Sequence, residues 1–348
     1  RLMDRVGRVP VLAAGFLLGA IGATLTSLGI RFASGWIAIP GLVLIGAAGA
    51  TAQLARAAAG DMYPPARRAR GISYVMFGAV AGAIIGPFVF AGGVFRRSGM
   101  SLESLPVAWL TGAGMLLVAL VLVINIRPDP KRIAEALEFA SAGAASSGEF
   151  TPLRQLIARP GVIPAMLAGI VSYSIMVSVM NLTGYIVVQH HHHPPQVIFP
   201  IIGAHVLGMF LLMPAVGWIA DRVGRPRTIL SGLLLIAAST AGLMWFESVV
   251  PIAILLFALG LGWNFSFVAA TTQLADLAAP WERGKLLGFN DLVASLTGAT
   301  FVLLGGYVLS DFGVTAMALS AALIPLLPVI VMVSARRRVP AAISQPAS

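Results

Sequence analysis

Asp291 is the side chain in this sequence best placed to do chemistry. It stands about two turns into an apolar stretch beginning near Gly284, beside Asn290. A carboxyl at membrane depth is costly and marks a functional site by default; buried there, it is a candidate proton carrier. The alternative is a structural hydrogen bond or latch contact near one end of its helix. His205 interrupts the apolar run Ile201–Ala215; an imidazole there is a second candidate for proton coupling, or else a packed, hydrogen-bonded residue. Gln53 and Arg56 are three apart, hence on one helical face, with Arg56 expected to snorkel to the interface. Asn181, Thr183 and Tyr185 punctuate one apolar stretch, and Trp263 and Asn264 another. Such groups bind organic molecules or join helices by hydrogen bonds worth about 1 kcal/mol or less. His190 to His193 are metal-binding imidazoles by type. Adjacent loop residues are poorly arranged for a tetrahedral site, so no metal site is expected.

These residues need membrane-spanning elements to hold them. Of 348 residues, 58% are hydrophobic and 10% charged, against about a quarter charged in soluble domains. The 38 glycines and 22 prolines are scattered through the apolar runs, a pattern that membrane helices tolerate. Ten stretches reach the roughly 20 apolar residues that a crossing needs: 9–30, 36–59, 71–95, 106–126, 162–188, 197–219, 228–247, 250–275, 285–309 and 314–334. None alternates with the period of two that a membrane barrel requires, so the expectation is an all-α integral membrane protein. Of the 23 Lys and Arg residues, all but Arg31, Arg96 and Arg97 fall in every second loop. By the positive-inside rule those loops and the C-terminus are cytoplasmic.

The net charge of +10 does not indicate nucleic acid, because the cations sit in short clusters between apolar spans. With no cysteine there is neither a disulfide nor a thiolate site. No G-x-x-x-x-G-K-[ST] loop is present, so no nucleotide partner is expected. No nucleophile–base or histidine–carboxylate cluster lies at membrane depth, which disfavours an enzyme.

One loop occurs twice. Asp4-Arg-Val-Gly7-Arg8 recurs as Asp221-Arg-Val-Gly224-Arg225, a shift of 217 positions. Asp61 and Asp276 open a second pair of similar loops at a shift of 215, and Gly92-Gly93 and Gly305-Gly306 follow at 213. Two halves on one helix plan, with a binding site between them, are a transporter architecture. D-R-x-G-R between membrane helices resembles the signature loop of the major facilitator superfamily. Gly217, Asp221, Arg222, Gly224 and Arg225 match it in the second half, and Asp4, Arg5, Gly7 and Arg8 in the first.

The resemblance implies helices 3 to 12 of a twelve-helix plan, an N-terminally truncated chain, and two pseudo-symmetric halves. The expected divisions are 1–127 (four helices), a linker 128–160, 161–335 (six helices) and a tail 336–348. It also implies that Asp4 and Asp221 cap the helices starting near Gly284 and Gly71. Arg8 and Arg225 are expected to pair with Asp61 and Asp276, forming a cytoplasmic latch. Asn181, Tyr185, Trp263, Asn264 and Gln53 become candidates for the substrate cavity. Gly78, Gly82, Gly86 and Pro87 read as small-residue packing plus a kink, similar to the glycine–proline motif of family antiporters. The arginine typical of the family's fourth helix is missing, with Gly41 near its place. The expected function is secondary transport of a small organic solute by alternating access, in the direction of efflux, in the cell membrane without a cofactor. The alternatives are a non-transporting sensor and an inactive remnant.

Overall fold

The computed structural model describes residues 2–89, 104–142, 151–194 and 197–337, and every regular element among them is helical. A short α1 (Leu2–Val6) precedes α2 (Arg8–Arg31), α3 (Gly35–Gln53), α4 (Ala55–Asp61), α5 (Arg68–Val89) and α6 (Leu105–Ile124). After α7 (Pro130–Ala142) and α8 (Leu153–Ile157) come α9 (Val162–Tyr185), α10 (Ile198–Phe210), α11 (Met213–Val223), α12 (Arg225–Gly242), α13 (Val249–Asp276), α14 (Pro280–Leu323) and α15 (Leu326–Arg337). Each of the ten expected spans falls on helix; the last residues of 71–95 lie outside the described set. Among the described residues seven stretches are apolar and long enough to cross a membrane by length and composition alone, and the longest, Trp281–Ser334, bends at Gly313 (φ 81°, ψ −179°).

Lipid, not water, is the solvent these helices suit. Trp36 is 93% exposed, Leu303 75% and Val250 68%, and exposed apolar area on that scale would aggregate in water. Inside the bundle, small residues let backbones close up: a side chain at Gly22 would strike the Gly41 carbonyl at 2.7 Å, and one at Gly262 the Gly232 carbonyl at 2.9 Å. The largest buried cluster lies in the later helices, around Val171, Ile175, Leu256, Trp263 and Phe267.

By chain order the helices divide into an earlier set, α1–α6, and a later set, α9–α15. Two helices do most of the joining: α5 packs on α10, α11 and α13, while α14 packs on α1, α3 and α4. The segment Thr151–Arg159, at the end of the expected linker, is anchored to the bundle, because Leu156 of α8 is fully buried beside Val162, Leu274 and Leu286.

Candidate functional site

At the arginine-rich end of the bundle the repeated loop builds two matching charge clusters. Gly7 and Gly224 take φ of 121° and 98°, a region costly for any residue with a Cβ. The turn they permit starts α2 and α12 immediately, so Arg8 and Arg225 begin their helices aimed back along the loop. Arg8 Nε donates to Asp61 Oδ2 at 2.7 Å, and Arg283 Nη1, from the other set, donates to Asp61 Oδ1 at 2.8 Å. In the second cluster Arg225 Nε donates to Asp276 Oδ2 at 3.2 Å, and Arg68, again from the other set, pairs with Asp276 Oδ1. Each aspartate is therefore held by one arginine from its own set and one from the other.

Asp221 adds a third bond across the sets. Its carboxylate accepts the backbone N–H of Ala69 (3.2 Å) and Arg70 (3.1 Å) at the start of α5, where a helix leaves its first amides unpaired and favours negative charge. α11 must come close for this. A Cβ at Gly217 would meet Ser73 Oγ and, at 2.8 Å, the Ala69 carbonyl. The Asp4 side chain lies outside the described residues; its helix, α1, does lie against α14. Arg5 and Arg222 stay out of the clusters. The Arg5 carbonyl accepts Lys131 Nζ at 3.2 Å, and the Arg222 guanidinium rests 5.1 Å over the Trp218 ring.

Deeper in the bundle, two cavities lie between the sets. One, of about 480 Å³, is lined by Gln53, Arg56, Met76, Tyr173, Asn181, Phe210 and Trp263 among others. The other, of about 520 Å³, is lined by Thr51, Gln53, Tyr173, Gly288, Asp291 and Ser295 among others. Gln53 and Tyr173 belong to both walls, and one ion pair bridges them: Arg56 Nη2 donates to Asp291 Oδ1 at 2.8 Å and Oδ2 at 2.7 Å. Arg56 Nε also donates to the Gln53 carbonyl (3.0 Å) and Nη1 to Thr271 Oγ1 (2.9 Å), and its guanidinium lies 4.2 Å over the Phe267 ring. Trp263 stacks on Phe267 at 4.7 Å, with Phe210 edge-on to Trp263 at 5.9 Å. Charge, amide and aromatic wall together suit a small organic molecule.

Several expectations need correction. Arg56 does not snorkel: it is 4% exposed and reaches inward across the sets. Asp291, left between proton carrier and structural contact, pairs with that arginine, a partner the sequence did not name. Tyr185 lies away from the cavity, at the end of α9, 54% exposed with its ring against His190. Asn264 is fully buried in the second set and lines neither cavity; its amide finds no partner among the described residues. His205 faces α13, with Nδ1 2.8 Å from the Leu256 carbonyl, and lines neither cavity. A Cβ at Gly78 or Gly82 would meet nothing within 4 Å among the described residues, so no close helix approach is made there; the Gly86 and Pro87 surroundings lie outside the described set, as do Gly92-Gly93. Among the described residues no group of His, Asp or Glu is arranged to hold a metal, and His193 Nε2 instead lies 2.8 Å from the Glu247 carbonyl.

Other contributors escaped the sequence reading. Arg68 and Arg283 supply the cross-set half of each cluster, and a signal for them existed, since they are separated by the same 215 positions as Asp61 and Asp276. Arg159 grips Glu282 at 2.6 and 2.9 Å, tying the segment before α9 to the start of α14. Asp129, just before α7, accepts the amides of Arg8 (3.1 Å), Val9 (2.9 Å) and Lys131 (2.8 Å), so it caps α2 from the linker. Burial opposes its charge, but those three amides and the nearby Arg8 outweigh burial and hold its carboxyl below the usual range.

Comparison with known proteins agrees with this geometry. The family model described as Major Facilitator Superfamily matches residues 1–202 and 167–348. The uncharacterized MFS-type transporter YdeG of Bacillus subtilis is 30% identical over 348 residues, spanning 97% of this chain and 79% of that protein. The riboflavin transporter RfnT of Brucella anthropi is 30% identical over 323 residues, 89% of this chain and 75% of its own length. Among solved structures, the proton:xylose symporter XylE superposes with a TM-score of 0.75 at 14% identity, covering 97% of this chain and 82% of that one.

Proposed function

The chain belongs to the major facilitator superfamily, and on that footing we propose that it moves a small organic solute across the cell membrane by alternating access, as an efflux carrier. It is a multi-pass membrane protein of that family's fold. The observation that carries the reading is the pair of charge clusters at the arginine-rich end, assigned to the cytoplasm by the positive-inside rule. Each cluster joins the two helix sets through an arginine from the opposite set, while the cavities between the sets lie deeper. Breaking Arg283–Asp61, Arg68–Asp276 and the Asp221 cap would free that end to part, and remaking them would close it. The latch thus comprises Gly217, Asp221, Gly224, Arg225, Asp276 and Arg68, with Gly7, Arg8, Asp61 and Arg283. The outward direction rests on sequence spacing, the likeness of Gly78–Pro87 to the antiporter motif, and not on packing, since Gly78 and Gly82 make no close contact among the described residues.

Proton coupling is assigned to Asp291 alone, since it is the carboxylate on a cavity wall. Arg56 from α4 and Tyr173 from α9 are the titratable groups facing it; α3 brings Thr51 and Gln53, and α13 brings Thr271. When the pair opens, Asp291 leaves an Arg56 that stays anchored to Gln53, Thr271 and Phe267, and becomes the group that carries the proton. Riboflavin, for which the relative RfnT is named, is the first solute to test. Everted vesicles holding the chain are expected to accumulate riboflavin or a related planar solute when a proton gradient is imposed, and Asp291→Asn to abolish the dependence on that gradient. Equal uptake with and without the gradient in the unaltered chain would refute proton coupling, and no uptake of any solute tested would refute transport.

A further inference from the structure

The Arg56–Asp291 pair points to the chemistry of the solute. Both partners are almost buried, at 4% and 12% exposure, yet they are held very differently. Arg56 is anchored four ways: to the Gln53 carbonyl, to the Thr271 hydroxyl, to Asp291 and to the face of Phe267. Asp291 accepts hydrogen bonds from Arg56 alone among the described residues. If the pair opens, the guanidinium stays and the carboxylate leaves.

The pairing is also incomplete as a recognition geometry. Both Asp291 oxygens bond one nitrogen, Nη2, while Nη1 turns to Thr271. The strongest arginine–carboxylate contact uses two parallel N–H groups as a fork, so a better-placed anion can outcompete Asp291. Beside the guanidinium stands an aromatic wall of Phe267, Trp263, Phe210 and Tyr173, with Phe267 and Trp263 stacked nearly parallel, 21° between planes. Trp263 lines the cavity, and its buried indole N–H has no acceptor among the described residues. A buried donor of this kind wants a partner, and a solute acceptor would supply one. The volume of about 480 Å³ lies within the roughly 300–1,000 Å³ of small-molecule sites.

We propose that this cavity takes a planar aromatic anion, with Arg56 receiving its negative group in place of Asp291 and the Trp263, Phe210 and Tyr173 side chains that line the cavity receiving its ring. Asp291 is then the resident counter-ion of the empty cavity. Displacing it removes the partition the ion pair makes between the two cavities, so solute entry opens one continuous space between the helix sets. The inference rests on the transport reading for its setting, but binding alone tests it.

The full chain, purified in detergent, is titrated calorimetrically with three probes of one shape: 2-naphthoate, 2-naphthylmethanol and 2-naphthylmethylammonium. The expected result is binding of the carboxylate at least about tenfold tighter than the alcohol, in keeping with a charge-assisted hydrogen bond, and no measurable binding of the ammonium. Asp291→Asn, which keeps Arg56 and removes its rival, is expected to tighten 2-naphthoate by about tenfold or more. Arg56→Gln paired with Asp291→Asn removes both charges, leaves no buried ion unpaired, and is expected to erase the preference for carboxylate over alcohol. Equal affinity for acid and alcohol, preference for the ammonium, unchanged affinity in Asp291→Asn, or no binding of any probe would overturn the assignment. None of those results bears on whether the chain transports, which the vesicle assay decides separately.

Discussion

Asp61 meets two arginines within 2.8 Å at almost no exposure, and a buried pair broken on one side leaves an uncompensated charge. Asp61→Asn removes the carboxylate that Arg8 and Arg283 share. It is expected to lower stability by about 3–5 kcal/mol, measured as denaturant unfolding in detergent; a loss under about 1 kcal/mol would mean these contacts are solvated and weak. Asp129 makes a second test at the same scale. Its carboxyl lies below its ordinary value of 3.8 in the folded chain, so its charge stabilises the fold fully above that value. That contribution is lost as pH falls through the lower folded value. The melting temperature of the unaltered chain should therefore fall more steeply with acid than that of Asp129→Asn, and identical acid limbs would show that the cap contributes nothing. The residues that pair by repetition were legible: Arg8–Asp61 and Arg225–Asp276 follow from one loop read twice. Arg56–Asp291 was not, because its members are 235 positions apart and hydropathy prices each charge alone. A lone arginine near a helix end then reads as snorkelling, and a carboxyl weighed as proton carrier or latch contact is left without a named partner.

At the scale of elements, the long apolar runs named the helices well, since lipid demands that each crossing satisfy its own backbone. Breaks were less visible: Leu54 between α3 and α4 carries no proline or glycine signal, and Leu211-Leu212 between α10 and α11 is marked only by Pro214 in the first turn of α11. Glycine spacing also misled. Gly78 and Gly82 have the separation of a packing motif but meet open space among the described residues, whereas Gly217, singled out only by its place before the repeated loop, sits where two backbones come together. Gly217→Ala is expected to push α11 off α5, weaken the Asp221 cap and lower the melting temperature. Ser73→Gly in the same chain removes one of the two obstructions and should restore part of the loss. A melting temperature unchanged by Gly217→Ala would mean that α5 and α11 do not approach this closely.

For the whole molecule, ion pairs and the Asp221 cap join the two helix sets at the arginine-rich end, and the cavities lie between the sets. The chain has no cysteine of its own, so spin labels can be placed on cysteines introduced at Ala66, in the exposed turn ahead of α5, and Val223, at the exposed end of α11. Double electron–electron resonance between them, in lipid nanodiscs, reads the separation of the sets at that end. The expected result is a dominant short distance in the otherwise unaltered chain, with a second, longer population that grows when Asp276→Asn releases Arg68 and Arg225. One distance, the same with and without Asp276, would contradict a latch that opens and closes.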